Sequence, residues 1–269
     1  MKSVRANGID IAYEDRGSGP PLLLLHGFPQ DHTLWDAQAE ALESKYRLLI
    51  PDLRGHGGTK HPAPGDPISM EQLADDAAAF LEAVDISSAA VAGWSLGGFT
   101  LFEMAVRYPL KVRAAAFVST RAAADPPGRE EARIKAMRFV VDEGSGAFAN
   151  AFLPQLYSAP FLAANPEAGE RTRQVIASQD PVSIAMTVDA IRRKEDMTPR
   201  LHEIACPCAV ISGKEDALIS YTLMEAVHAG LPDSTIDIIE GAGHMTTVEA
   251  PDRVTFGLDS LMQRAGMWM

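Results

Sequence analysis

The chain has only two cysteines and fewer basic than acidic residues, and both shortages limit what kind of protein it is. Cys206 and Cys208 flank one proline, so in a strand they would share a face, and they do not form a Cys-x-x-Cys metal motif. We therefore predict reduced core cysteines and a cytoplasmic protein. With 24 Lys and Arg against 36 Asp and Glu, the formal net charge is -12, which repels the phosphates of a nucleic acid. We expect no nucleic-acid partner.

Long hydrophobic runs are also missing. No stretch is long enough to cross a bilayer, and Lys2 and Arg5 are followed by polar residues instead of the apolar core of a signal peptide. We expect no membrane association. The 269 residues are nevertheless 46% hydrophobic, which suits a sizeable core and one domain with an insertion.

Short apolar runs alternate with segments of helical spacing. Several runs are apolar at nearly every position, which is typical of strands buried on both faces. The predicted strands cover residues 9–13, 22–25, 47–50, 89–92, 114–118, 208–211 and 235–239, and the clearest helices cover 70–84 and 98–108. This alternation predicts an α/β fold with a mostly parallel sheet and helices on both faces.

One long segment breaks the alternation. Residues 122–198 contain helical candidates and proline or glycine breaks, but no convincing strand. We interpret them as a helical cap inserted into a core formed by residues 1–121 and 199–269. One amphipathic helix is predicted from Arg129, with an apolar stripe of Ile134, Met137 and Val141. That stripe would either cover the core or line a site.

A Gly-x-Ser-x-Gly sequence follows the apolar run at 89–92. Gly93, Ser95 and Gly97 lie between a predicted strand and a predicted helix. Small residues on both sides allow the sharp turn that presents a serine hydroxyl alone, so Ser95 is a candidate nucleophile. The alternative is a glycine-rich turn whose serine caps the next helix.

A serine nucleophile needs a base and a carboxylate, and both occur in loops after later strands. Asp216 follows the run at 208–211, and His244 follows the run at 235–239. Histidine would accept the serine proton, and the carboxylate would fix its tautomer. Each has an alternative: Asp216 could cap a helix, Glu215 could be the acid, and His244 could be a solvated loop residue.

Acyl transfer also needs N–H donors for the oxyanion. We predict that these belong to Leu96, after the nucleophile, and to Phe28, in the loop after the early run at 22–25. His26 is expected to brace that loop, and His56 to belong to a structural turn between glycines. We assign no catalytic role to the remaining histidines, His32, His61, His202 and His228.

Together these motifs resemble those of the α/β-hydrolase superfamily. The shared features are His-Gly-Phe-Pro at 26–29, Asp-Leu-Arg-Gly-His-Gly at 52–57, Gly-Trp-Ser-Leu-Gly-Gly at 93–98, Asp216, Gly243-His244 and Glu-Ala-Pro at 249–251. The order serine, aspartate, histidine is that of the superfamily. The chain looks most like small bacterial carboxylesterases and the 3-oxoadipate enol-lactonase group. Ser220 departs from the resemblance, because many relatives have proline there.

The resemblance implies a serine hydrolase that cleaves a small carboxylic ester or lactone through an acyl-enzyme, with no metal or organic cofactor, as a monomer or homodimer. Cofactor-free perhydrolases and C–C bond hydrolases of the same fold stay open, as does a non-catalytic small-molecule receptor. Relatives with an aspartate nucleophile are disfavoured by Ser95. A carrier-protein methyl esterase is disfavoured by Phe28 and the acidic charge, unless a basic patch forms around Arg192, Arg193 and Lys194.

Four apolar side chains are further candidates for substrate binding. Trp94 and Met245 are neighbours of the triad candidates, and Phe152 and Leu156 belong to the predicted cap. The alternative for each is ordinary core packing.

Overall fold

A computed structural model describes residues 1–61 and 68–268. Within them the chain forms one eight-stranded sheet of order β1-β2-β4-β3-β5-β6-β7-β8. The strands are β1 Lys2–Ala6, β2 Ile9–Arg16, β3 Pro21–Leu25, β4 Arg47–Pro51, β5 Ala89–Trp94, β6 Val112–Val118, β7 Cys208–Gly213 and β8 Ser234–Ile239.

From β4 to β8 all neighbouring strands are parallel, whereas β1 and β2 join the edge as antiparallel strands. The central strands β3 and β5 are almost fully buried, as their unbroken apolar runs predicted. The expected mostly parallel α/β sheet is therefore confirmed. The prediction missed β1, because most of this edge strand is exposed and has no apolar run.

Ten α-helices are present in the described ranges. They are α1 Asp36–Leu42, α2 Met70–Ala83, α3 Leu96–Arg107, α4 Arg129–Phe152, α5 Ala159–Ala164, α6 Pro166–Ser178, α7 Pro181–Arg193, α8 Tyr221–Gly230, α9 Thr246–Glu249 and α10 Pro251–Arg264. Short 3-10 helices cover His32–Trp35, Leu153–Gln155 and Thr198–Glu203. Helices α2 and α3 pack on each other and α3 contacts β5 and β6, while α1 packs on α10, which contacts β6 and β7.

The segment predicted as a cap contains α4, α5, α6 and α7 and no strand. Helix α4 packs against α6 and α7. Its apolar stripe differs from the prediction, because Val141 is 53% exposed and Val140 is buried in its place. Gly144, with φ 84° and ψ 166°, interrupts the helical backbone near this point. The division into a core of residues 1–121 and 199–269 and a cap of 122–198 stays a prediction.

None of the helices in the described ranges is long and apolar enough to cross a membrane.

Candidate active site

Ser95 occupies a strained turn between β5 and α3. Its φ of 52° and ψ of -109° lie outside the regions that non-glycine residues favour, a conformation that costs about 1–3 kcal/mol. A Cβ atom on Gly93 would collide with the backbone of Gly97, and one on Gly97 would collide with the Leu25 carbonyl. The Ser95 side chain makes no capping hydrogen bond to α3, so the helix-cap alternative does not describe this serine.

The three candidate triad side chains meet in one hydrogen-bonded chain. His244 Nε2 lies 3.1 Å from Ser95 Oγ, and His244 Nδ1 lies 2.6 Å from Asp216 Oδ2. All three side chains are buried. Because Nδ1–H donates its hydrogen bond to the carboxylate, Nε2 is left as an acceptor for the serine hydroxyl.

Asp216, and not Glu215, contacts the histidine. The Asp216 Oδ1 atom accepts hydrogen bonds from the N–H groups of Leu218 and Ile219, at 2.9 and 2.8 Å, which fixes the carboxylate. Glu215 is exposed on the neighbouring loop surface. Ser220, the departure from the family pattern, accepts from the Thr222 N–H and caps α8 in place of a proline.

The histidine loop is held from two sides. Trp94 Nε1 donates to the His244 carbonyl at 2.9 Å. On the other side, Glu249 Oε2 accepts from the N–H groups of Gly243 and Ser158, at 2.9 and 3.0 Å. Glu249 belongs to the Glu-Ala-Pro motif, and its contact with Ser158, 91 residues away, has no local signal in the sequence.

Leu96 and Phe28, the residues predicted to supply the oxyanion N–H donors, are the residue after Ser95 and a residue of the same cavity. Leu96 is the first residue of α3, so its N–H has no partner within the helix. Phe28 lines the same cavity as Ser95, and its N–H makes no hydrogen bond with any residue in 1–61 or 68–268. Gly27 lets the loop approach, because a Cβ there would collide with Trp94.

His26 and His56 are buried behind this loop. His26 Nε2 accepts from the Leu53 N–H at 2.8 Å, and its Nδ1 lies 3.0 Å from the Gly27 carbonyl, so the neutral ring links two loops. Burial lowers the pKa of His26. Burial and the neighbouring His26 lower the pKa of His56 to about 3.

His32 begins the 3-10 helix His32–Trp35 and connects it to the turn at 52–57. It contacts Asp52 through both its N–H and Nδ1, each at 2.8 Å. Burial lowers the pKa of His32, but the hydrogen bond and charge of Asp52 outweigh it, and the pKa is raised.

A cavity of about 360 Å³ opens onto Ser95, Asp216 and His244. Much of its wall is apolar and comes from Phe28, Phe99, Phe152, Ile191, Leu218 and Ile219. Phe152 thus lies where it was expected. Trp94, Leu156 and Met245 do not line this cavity, and their role in substrate binding stays a prediction. Each is at most 1% exposed and belongs to the hydrophobic core.

Charged side chains form another part of the wall, and they were not predicted as site residues from the sequence. Arg121, Asp125, Arg129 and Arg133 line the cavity, and nothing local marks them as site residues. Residues 192–194, the alternative left open for a basic patch, do not form one. Arg192 and Arg193 pair with Asp189, and Lys194 is buried, with its ammonium bound to the Ala122 carbonyl.

No group of three or more His, Cys, Asp or Glu side chains suited to a metal ion occurs in the part of the chain that the structure describes. Both cysteines are free, with Cys208 buried and Cys206 half-buried.

Solved structures with the same overall fold include an esterase and an enol-lactonase. The chain is similar to a thermophilic esterase from Thermogutta terrifontis, determined with malate bound, with 33% identity over 98% of both chains and a TM-score of 0.92. It is 24% identical to 3-oxoadipate enol-lactonase 2 of Acinetobacter baylyi over 97% of this chain and 96% of that protein. The enol-lactonase of Burkholderia xenovorans LB400 matches at 25% identity and a TM-score of 0.90, over 97% of this chain and all of that one.

A family model described as the alpha/beta hydrolase fold matches residues 20–251, most of the chain and all three triad candidates. The protein therefore belongs to the α/β-hydrolase family.

Proposed function

We propose that this hydrolase cleaves a small carboxylic ester or lactone through an acyl-enzyme on Ser95. The observation that carries the proposal is the unbroken chain from Ser95 Oγ through the imidazole of His244 to Asp216. A hydroxyl with this partner can lose its proton as it attacks a carbonyl carbon.

In the first half of the reaction, His244 Nε2 takes the proton of Ser95 while the oxygen attacks. The N–H groups of Phe28 and Leu96 hold the oxyanion, and Asp216 stabilises the imidazolium. The imidazolium then protonates the departing alkoxide. In a lactone this alkoxide stays attached to the acyl group.

In the second half, His244 accepts a proton from water, and the resulting hydroxide attacks the acyl carbon. The bond from that carbon to Ser95 Oγ then breaks, the imidazolium returns the proton to Ser95, and the acid leaves. The side chains named here supply every proton transfer, so we propose no cofactor. The cavity of about 360 Å³ suits a small substrate. The similarity to an esterase and to enol-lactonases supports both ester and lactone substrates.

The test combines covalent labelling with turnover. The wild type, Ser95→Ala and Ser178→Ala are treated with a fluorophosphonate, analysed by intact mass, and assayed with 4-nitrophenyl esters from acetate to octanoate. Ser178 is exposed and lies outside the cavity, so its variant controls for serine removal. We expect one label in the wild type and in Ser178→Ala, and neither label nor turnover in Ser95→Ala.

Folded wild-type protein without label or turnover contradicts the proposal and favours a small-molecule receptor. Near-normal turnover in Ser95→Ala contradicts the assignment of the nucleophile.

A further inference from the structure

The cavity wall carries a charge opposite to that of the whole protein. Arg121, Arg129 and Arg133 line it, together with Asp125, which pairs with two of these arginines, and Asp216 of the triad. Three positive and two negative residues leave an excess of one positive charge in the cavity wall, in a chain with a net charge of -12. A cationic wall in an acidic protein favours entry of an anion.

One carboxylate, that of Asp125, binds two of these arginines. Asp125 accepts from Arg133 Nε and Nη2, at 2.9 and 3.3 Å, and from Arg121 Nη2. Burial raises the pKa of Asp125, but the two arginines outweigh it and the pKa is lowered, so this carboxylate is ionised at neutral pH. Its single charge cannot neutralise both guanidinium groups.

Arg129 adds a third cation. It lies one turn before Arg133 on α4, and residues four apart share a helix face. Across residues 1–61 and 68–268, the Arg129 guanidinium makes no ion pair or hydrogen bond. It is exposed and lines the cavity, so it is free to bind a ligand.

The cavity thus divides into an apolar part and a cationic part. Phe28, Phe152 and Leu218 belong to the first, and the arginines belong to the second. An uncharged aliphatic ester would use only the apolar part. The planar guanidinium matches a carboxylate with two parallel hydrogen bonds, which a neutral group cannot reproduce.

We propose that Arg129, together with the Arg121–Asp125–Arg133 cluster, selects esters or lactones that carry a carboxylate. This inference rests on the proposed function and narrows its substrate class. Arg129 is the direct ligand, and Asp125 positions Arg121 and Arg133 behind it.

The experiment uses matched substrates in which an uncharged group replaces one carboxylate. On the acyl side, 4-nitrophenyl hydrogen adipate is compared with 4-nitrophenyl hexanoate, in which a methyl group replaces the carboxylate. On the alcohol side, 4-acetoxybenzoate is compared with its methyl ester. The readout is the ratio of kcat/KM for the anionic and neutral members, so the neutral ester normalises each preparation for its active fraction.

We expect the wild type to prefer the anionic member of at least one pair by about ten- to hundredfold, the range of a charge-assisted hydrogen bond. The ratio should fall about tenfold or more in Arg129→Gln and Arg133→Gln, and it should fall with added salt. Arg138→Gln is the control, because Arg138 is exposed on the same helix but outside the cavity. Its ratio should equal that of the wild type.

A wild type without anionic preference in either pair overturns the inference, and so does a preference that both arginine variants keep. Turnover of the neutral esters would still support the ester hydrolase in those cases. Absence of turnover with all four substrates would instead count against the proposed function.

Discussion

The Glu249 carboxylate accepts a hydrogen bond from the N–H of Ser158 and so joins the loop of His244 to the segment between α4 and α5. The same oxygen accepts from the Gly243 N–H, one residue before the histidine. The Met245 N–H also donates to the Leu156 carbonyl, at 2.9 Å. The position of His244 therefore depends on contacts with residues far away in the sequence.

Removal of the Glu249 carboxylate should loosen this connection. In Glu249→Ala two buried N–H groups lose their acceptor, so we expect the free energy of unfolding to fall by about 1–3 kcal/mol, with a lower kcat. Glu249→Gln retains an acceptor oxygen, so its free energy of unfolding and its kcat should fall less. Urea unfolding and 4-nitrophenyl ester turnover measure the two effects.

Glu240→Ala is the matched control, because the Glu240 carboxylate is exposed and pairs with Lys214 at the surface. It should behave like the wild type. If Glu249→Ala also retains wild-type stability and kcat, the connection has no energetic importance.

Asp216→Asn should reduce kcat by about 10³- to 10⁴-fold, because an amide neither fixes the histidine tautomer nor stabilises an imidazolium. Glu215→Gln changes the adjacent, exposed carboxylate and should leave kcat unchanged. Steady-state kinetics of the two variants distinguish them. An equal loss of kcat in both variants, or a larger loss in Glu215→Gln, would contradict the assignment of Asp216 as the acid of the triad.

Two residues predicted to bind substrate should respond differently to truncation. Phe152 lines the cavity, so Phe152→Ala should enlarge it and shift the preference of kcat/KM toward longer acyl chains. Leu156 is fully buried outside the cavity, so Leu156→Ala should cost about 2–5 kcal/mol of stability. Its chain-length profile should match that of the wild type. A changed chain-length profile in Leu156→Ala would indicate that Leu156 contacts the substrate.

The buried histidine His56 should make the fold sensitive to acid. Its pKa is lowered to about 3 by burial and by His26, whereas an unfolded chain protonates it near 6.5. Between pH 3 and pH 6.5 the unfolded state therefore binds more protons than the folded state. The contribution of neutral His56 to the free energy of unfolding is complete above about pH 6.5 and is lost as the pH falls toward 3.

Urea unfolding from pH 7.5 to 4.5 measures this dependence. In His56→Gln the loss per pH unit should be smaller than in the wild type by up to about 1.4 kcal/mol, the value for one proton. Parallel curves for the two proteins would show that His56 titrates normally in the fold.

Local sequence predicted the turn at Ser95 well, because the requirement for glycine on both sides is a matter of backbone sterics within five residues. The continuous apolar runs predicted the buried strands for a similarly local reason, since a strand covered on both faces needs apolar residues at successive positions. The weakly apolar edge strand β1 carries no such signal. The stripe on α4 was misplaced at Val141, because two adjacent valines are equivalent in the sequence and the packing of the helix buries Val140 instead.

The choice between neighbouring residues required the tertiary structure. Asp216 and Glu215 are equivalent in the sequence, and only the orientation of the loop against His244 separates them. Trp94, Leu156 and Met245 have apolar side chains suited to a binding site, yet packing turns all three into the core.

The sequence by itself determined the fold class and the order of the three triad candidates, because strand burial, glycine turns and loop positions are encoded over short distances. The tertiary structure decided which side chains face the substrate and what charge they present. Arg129 and Arg133 of α4 line the same cavity as Ser95 and His244, which lie before and after α4 in the chain, and α4 is packed on α6 and α7. That arrangement depends on contacts between distant segments, which no local pattern records.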